Sequence, residues 1–359
     1  MNIRGGRSAA FLHRQLGRAV CGAYLAALVL PGPGTWLRHP HALVLPTGPV
    51  GPLSLHTGEL LLALVLFSAG LQVPLPSLAR LVRRPGVLLT GLGLHLAAPL
   101  LVIPPLVVLL RGSPDADGGS GLVTAMILIV TMPVAAGATV WTSRGQGDQP
   151  VMVGLVLAST LVSPLTVPLT VQMLAPLLGG GYADTLATAG PGLGGGSALT
   201  TVALPCAAGL LCRALLPKKR AAKAQHACAP VALLGSLLLT YVNASGALGS
   251  FLARPRPVLL VAAVTVAALV CALTFALGRL SVRALRLDAP VASSFTLACG
   301  MNNSSASAVL LSTALPDKPH LLLPVLAYGL LQKTAASRVV RTHSPPGRPG
   351  GRPCVTTRR

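Results

Sequence analysis

Stretches of about twenty apolar residues recur along almost the whole chain, and the charged residues collect in the short connections between them. A helix needs about that length to cross a hydrocarbon core of roughly 30 Å, and in lipid it satisfies its own backbone hydrogen bonds. Ten such stretches stand out, at 18–36, 53–75, 86–110, 121–141, 151–178, 197–216, 229–248, 258–277, 291–315 and 321–340. Only 10% of the residues are charged, against about a quarter in a soluble domain. The expected class is an all-α membrane protein. A formal net charge of +21 does not indicate nucleic acid, because the basic residues lie in loops and tails rather than on one face. The seven cysteines show no CxxC pair and no ligand spacing. Arg4, Arg7, Arg14 and Arg18 before the apolar run 19–30 resemble a signal peptide, but the spans that follow favour a first membrane helix.

Loop charge sets orientation. The even-numbered loops hold most of the loop lysines and arginines: Arg80, Arg83, Arg84, Arg144, Arg213, Lys218, Lys219, Arg220, Lys223, Arg279, Arg283 and Arg286. The odd-numbered loops hold Arg38, Arg111, Arg254, Arg256 and Lys318. The even loops and both termini are therefore expected in the cytoplasm, with the protein in an inner or plasma membrane. Residues 1–178 form the first five spans, 179–196 a glycine-rich linker, 197–341 the second five spans, and 342–359 a Pro/Gly/Arg-rich tail expected to be disordered.

The two halves repeat a pattern. Span three opens with Arg84-Pro85-Gly86-Val87-Leu88-Leu89, and span eight with Arg254-Pro255-Arg256-Pro257-Val258-Leu259-Leu260. An interrupted span and one further span follow each opening. Two sets of five spans have opposite orientations, which predicts an inverted repeat with the site where the interrupted helices meet. Three features fall near mid-membrane at 1.5 Å per residue. They are His95 in span three, Met132-Pro133-Val134-Ala135-Ala136-Gly137-Ala138-Thr139 in span four, and Ala298-Cys299-Gly300-Met301-Asn302-Asn303-Ser304-Ser305 in span nine. Pro133 removes a helical hydrogen bond, and Gly137 and Gly300 permit close backbone approach. Two amides and two hydroxyls together at that depth are costly unless they meet something polar. The alternatives are an ordinary structural histidine bonded to a carbonyl, and asparagines acting as interhelical glue. Ser159, Thr160 and Ser163 in span five read as hydroxyls bonded to their own helix. Of the seven acidic residues only Glu59 lies within a span, near one end.

With these residues the chain resembles the bile acid:sodium symporter family, in its bacterial branch. The resemblance rests on Gly70, Arg84-Pro85, the run from Met132-Pro133 to Gly147-Asp148, Ser159-Thr160-Leu161-Val162-Ser163-Pro164, and Ala298-Cys299-Gly300-Met301-Asn302-Asn303. It implies ten helices in two inverted five-helix repeats. Spans one, two, six and seven would form a panel domain and the rest a core domain, with broken spans four and nine crossing. Sodium and an organic anion would bind at that crossing. The family's span-nine carboxylate falls at Ala298 and a following glutamine at Asn302. Its span-four serine and asparagine fall at Ala138 and Thr139, its span-five hydroxyls at Met152 and Val156, and its span-three glutamine at His95. A residual sodium site would rest on Asn302 and His95.

The expected function is secondary transport of a small organic anion by alternating access, with His95, Thr139, Ala298, Met301, Asn302, Asn303, Ser304 and Ser305 at the site. The resemblance implies sodium as the coupling ion and no other cofactor. The stripped sodium residues raise two alternatives, proton coupling through His95 or no coupling, and a third in which a degenerate transporter fold serves as a scaffold or sensor. No paired acids, metal-ligand cluster or nucleophile–base set points to an enzyme. The expected partners are the anion and membrane lipid; oligomeric state has no signature in the sequence.

Overall fold

The computed structural model of the chain describes residues 18–38, 43–46, 52–55, 57–73, 75–76, 85–111, 119–179, 181–186, 202–253 and 255–343. Most of the linker expected at 179–196, the tail beyond 343, and Arg80, Arg83, Arg84 and Arg254 lie outside the described residues. The regular elements among the described residues are helical apart from one antiparallel strand pair, β1 (Leu43–Pro46) and β2 (Pro52–Leu55), in the register Leu43 with Leu55.

The first apolar stretch is two helices, α1 (Arg18–Val29) and α2 (Pro31–Arg38), bent by 93°. Pro31 lacks an N–H, and its ring disfavours helical backbone at Leu30, so one straight span is not available there. Then come α3 (Thr57–Leu71), α4 (Pro85–Leu110), α5 (Ser120–Val130), α6 (Ala138–Arg144) and α7 (Gln149–Leu174), extended by one 3-10 turn to Leu177. The second part holds α8 (Leu204–Leu215), α9 (Lys218–Ala253), α10 (Pro257–Ala284), α11 (Ala289–Gly300), α12 (Ser304–Ala314) and α13 (Leu322–His343). Helix α9 corrects one expectation. Lys218, Lys219, Arg220 and Lys223, read as loop residues, are its exposed first turns. Long basic side chains cost a helix little propensity, so the helix starts ahead of its apolar part.

Helices α4, α7 with its 3-10 turn, α9 and α10 are long and apolar enough to cross a membrane, and α1 with α2 makes a bent fifth candidate. The outer helices expose apolar residues that a water-soluble protein would cover, among them Leu89, Leu165, Leu215 and Val258, each more than 60% exposed. The interior centres on α5, whose residues are buried from Ser120 through Val130. An all-round apolar helix suits that position.

Two packing groups emerge. Helices α2, α3, α8 and α9 pack on one another, while α4–α7 pack with α10–α13. Within the second group one order occurs twice: a long helix, a helix pair separated by a short extended link, then another helix. In the first group α3 and α8 approach backbone to backbone. A Cβ on Gly70 would strike the Cys206 carbonyl oxygen, and one on Gly209 the Phe67 carbonyl oxygen. Small residues at such crossings let membrane helices pack closely. Gly209→Leu should therefore lower the thermal midpoint of the detergent-purified protein by the equivalent of at least about 1–3 kcal/mol. Gly137→Ala, where a Cβ meets open space, should leave that midpoint unchanged.

Candidate functional site

Helix α5 ends at Val130 and α6 starts at Ala138, and the link between them is extended around Pro133. Proline explains the stop, since it cannot donate to the preceding turn. Each buried polar group of the link then needs a partner. Val134 N–H donates to Ser159 Oγ on α7 at 3.1 Å. Ala135 N–H donates to the Met301 carbonyl at 2.8 Å, and the Pro133 carbonyl accepts from Asn303 N–H at 3.0 Å. The last two flank an antiparallel bridge between Val134 and Asn302. The broken pair α5/α6 is thus hydrogen-bonded, link to link, to the broken pair α11/α12.

The second link is Met301-Asn302-Asn303. Asn303 caps α12, its Oδ1 accepting from Ala306 N–H at 3.2 Å. Capping by an asparagine oxygen satisfies one of the donors a helix start leaves open. Asn302 is 1% exposed, and its Nδ2 donates to Tyr328 Oη on α13 at 3.0 Å, while Oδ1 has no protein partner. Tyr328 Oη donates in turn to the Gly300 carbonyl at 3.1 Å. Gly300 is sterically required, because a Cβ there would enter the Phe275 ring. Gly137 is not: its φ of −60° is ordinary and its surroundings are open.

His95 is buried on α4 with its imidazole against the backbone of both Met132 and Ala298, so it touches both breaks, and its Nδ1 has no partner. His95, Pro133, Ala298, Gly300, Met301, Asn302 and Asn303 therefore share one junction. Thr139 is apart from it: its hydroxyl donates to the Ala136 carbonyl within its own turn, and its carbonyl accepts from Gln149. Ser304 and Ser305, in the first turn of α12, line a small polar cleft of about 30 Å³ beside the junction. Tyr24 of α1, Thr240 and Asn243 of α9, and Gly329 and Lys333 of α13 line the same cleft. Gln332 Nε2 reaches Ser304 Oγ at 3.4 Å.

The Sodium Bile acid symporter family is matched over residues 59–254, from the start of α3 to the end of α9. This span is more than half of the chain and contains the α5/α6 break. The chain belongs to the sodium bile acid symporter family. It is a multi-pass membrane protein, and the family is one of transporters. No curated protein matches this symporter-family chain. The α11/α12 link lies beyond the matched residues, so its place in the candidate site rests on its backbone pairing with α5/α6.

The side chains of the junction itself offer few oxygens for a sodium ion. A hard cation takes a shell of several oxygens. Asn302 Oδ1 and His95 Nδ1 are buried there without a protein partner, and further unpartnered buried oxygens belong to Thr124 of α5, Ser293 of α11, Ser307 of α12 and Gln332 of α13. Ala138, Met152, Val156 and Ala298 bring no side-chain oxygen, and no group of three or more His, Cys, Asp or Glu occurs among the described residues.

Sequence reasoning passed over Tyr328, Gln332 and the outward reach of Ser159. Thr160 and Ser163 bond their own helix at 2.6 and 2.8 Å, whereas Ser159 also serves Val134. A buried tyrosine needs a partner for its hydroxyl, and Tyr328 in an otherwise apolar run was the available signal. Tyr328→Phe would leave Asn302 Nδ2 unpaired in the interior. It should cost about 1–3 kcal/mol, read as a lower thermal midpoint in detergent with unchanged expression.

Proposed function

We propose that the chain is a secondary transporter that moves a small organic anion by alternating access. One observation carries this reading: two broken helices are bonded link to link inside the bundle, with a small polar cavity of about 30 Å³ beside them. Non-helical backbone at membrane depth is tolerated where it is buried in protein or lines a water-filled cavity, and transporters build their sites this way. The cleft has α1 and α9 on one side and α12 and α13 on the other, so rocking one group against the other exposes it alternately. The repeated order of long helix, broken pair and following helix supports two inverted five-helix repeats. The loop charges support cytoplasmic termini in an inner or plasma membrane.

Within this reading Asn302 and Asn303 hold the substrate end of α12, and Ser304 and Ser305 present hydroxyls to the anion. The sodium bile acid symporter family is named for sodium coupling, and Ala138, Met152, Val156 and Ala298, which bring no side-chain oxygen, favour a carrier that works without it. A second reading, proton coupling through His95, is favoured by the contact of that imidazole with both breaks.

Thermal midpoints of the purified protein in sodium, potassium and choline chloride, with and without acetate, pyruvate or benzoate, test these readings. A ligand held only by the folded state raises stability by about 2.7 kcal/mol at a hundredfold excess over its Kd. A carboxylate-dependent rise that Asn302→Ala and Asn303→Ala abolish is expected; a rise that both variants retain would favour the scaffold. A step with pH that vanishes in His95→Gln would assign coupling to protons, and a sodium-specific rise would restore a sodium site.

A further inference from the structure

Helix α9 begins against the ordinary rule for a helix start. Positive charge is unfavourable at the amino end of a helix, where the dipole is itself positive. Lys218, Lys219 and Arg220 nevertheless occupy its first turn, with no acidic residue among them, and Lys223 follows in the second. All four are exposed. Lys219 and Lys223 stand four residues apart, a spacing at which like charges repel. Arg213 adds a further charge from the last turn of α8. No counter-charge is close by in the chain: no aspartate or glutamate occurs between Asp184 and Asp288. Glu59 lies in the first turn of α3, at the end away from Leu71. Other helices obey the rule. Asp148 caps α7, and the exposed Arg279 and Arg283 lie toward the carboxyl end of α10.

The basic turns are docked on the bundle along one side. Ala221 is fully buried, and Gln225 Nε2 donates to the Leu71 carbonyl at the end of α3 at 2.8 Å. At about 100° per residue Lys219 and Lys223 fall on the opposite side of the helix. The same face continues down α9 through the exposed Leu234 and Leu238. Helix α9 has 36 residues and is therefore about 54 Å long. A hydrocarbon core is only roughly 30 Å thick, so the basic turns pass beyond it. Lys223 precedes the apolar part at Ala227 by about 6 Å and Lys219 by about 12 Å. Headgroups fill about 5–7 Å beyond the hydrocarbon, and long basic side chains bend toward that layer. One helix face thus presents two ammonium groups at headgroup depth and exposed leucines at acyl-chain depth.

We infer that this face of α9 holds an acidic phospholipid, its phosphate between Lys219 and Lys223 and an acyl chain along Leu234 and Leu238. The anion offsets both the like-charge pair and the basic helix start. The leucines give a lipid a contact that a free phosphate lacks. A zwitterionic headgroup carries its own cation and gains less from the lysines. The site belongs to the packing group of α2, α3, α8 and α9 and includes neither broken helix, so it is independent of the transport reading.

Native mass spectrometry of the full chain in a neutral detergent counts the lipid retained after titration with phosphatidylglycerol or with phosphatidylcholine of the same acyl chains. Expected is a preference for phosphatidylglycerol in the parent chain. The Lys219→Gln/Lys223→Gln chain should need about thirtyfold more phosphatidylglycerol for the same retention, and Lys219→Arg/Lys223→Arg should keep the parent behaviour. Arg279→Gln/Arg283→Gln removes the same charge from α10 and should leave retention unchanged. Inorganic phosphate in excess should not displace the lipid. Equal retention of the two lipids by the parent chain, or equal losses in the α9 and α10 glutamine variants, would overturn the inference. Displacement by inorganic phosphate would also overturn it, by making the site one for a free anion. The lipid preference is read on the parent chain, so it decides the matter even where a variant fails to fold.

Discussion

The hydrogen bonds between the two interrupted helices are the constraint on which this structure depends. A helix broken within a membrane exposes carbonyl and amide groups that lipid cannot satisfy. Pro133 creates that problem between α5 and α6, and Met301-Asn302-Asn303 creates it again between α11 and α12. Each break resolves the other. The Pro133 carbonyl and the Ala135 amide are satisfied by Asn303 and Met301, and Ser159 takes the remaining Val134 amide. Neither break is stable without the other at its side, which ties segments more than 150 residues apart into one centre.

Around that centre the side chains hold the links rather than fill them. Tyr328 fastens both Asn302 and the Gly300 carbonyl to α13. Asn303 starts α12 by capping it. His95 lies against both links from α4. The fully buried α5 makes this framework rigid, since interiors at close packing have few alternative arrangements. The cleft lined by Ser304, Ser305 and Lys333 lies at the edge of the framework, against α1 and α9. It is bounded by the framework on one side and by α1 and α9 on the other.

Much of this was legible in the sequence because lipid leaves few options. Apolar stretches of span length specify helices, and Pro133 and the Gly300–Ser305 run mark the breaks, since proline and clustered polar groups are incompatible with an uninterrupted membrane helix. The bend at Pro31, the hairpin at Leu43–Leu55 and the early start of α9 at Lys218 were not legible in the same way. Hydropathy records how apolar a stretch is and not where its backbone turns. Tertiary structure alone decided which polar residues meet. Ser159 and Thr160 are neighbours of the same chemistry, yet only Ser159 points at Val134. Thr139 aligned with the site but faces its own turn. Lys333, within the last apolar stretch, became part of the cleft wall. Composition and periodicity act locally along the chain, and they set the helices and their breaks; the partners of a buried polar group are chosen by packing between distant helices, which no single stretch of sequence encodes.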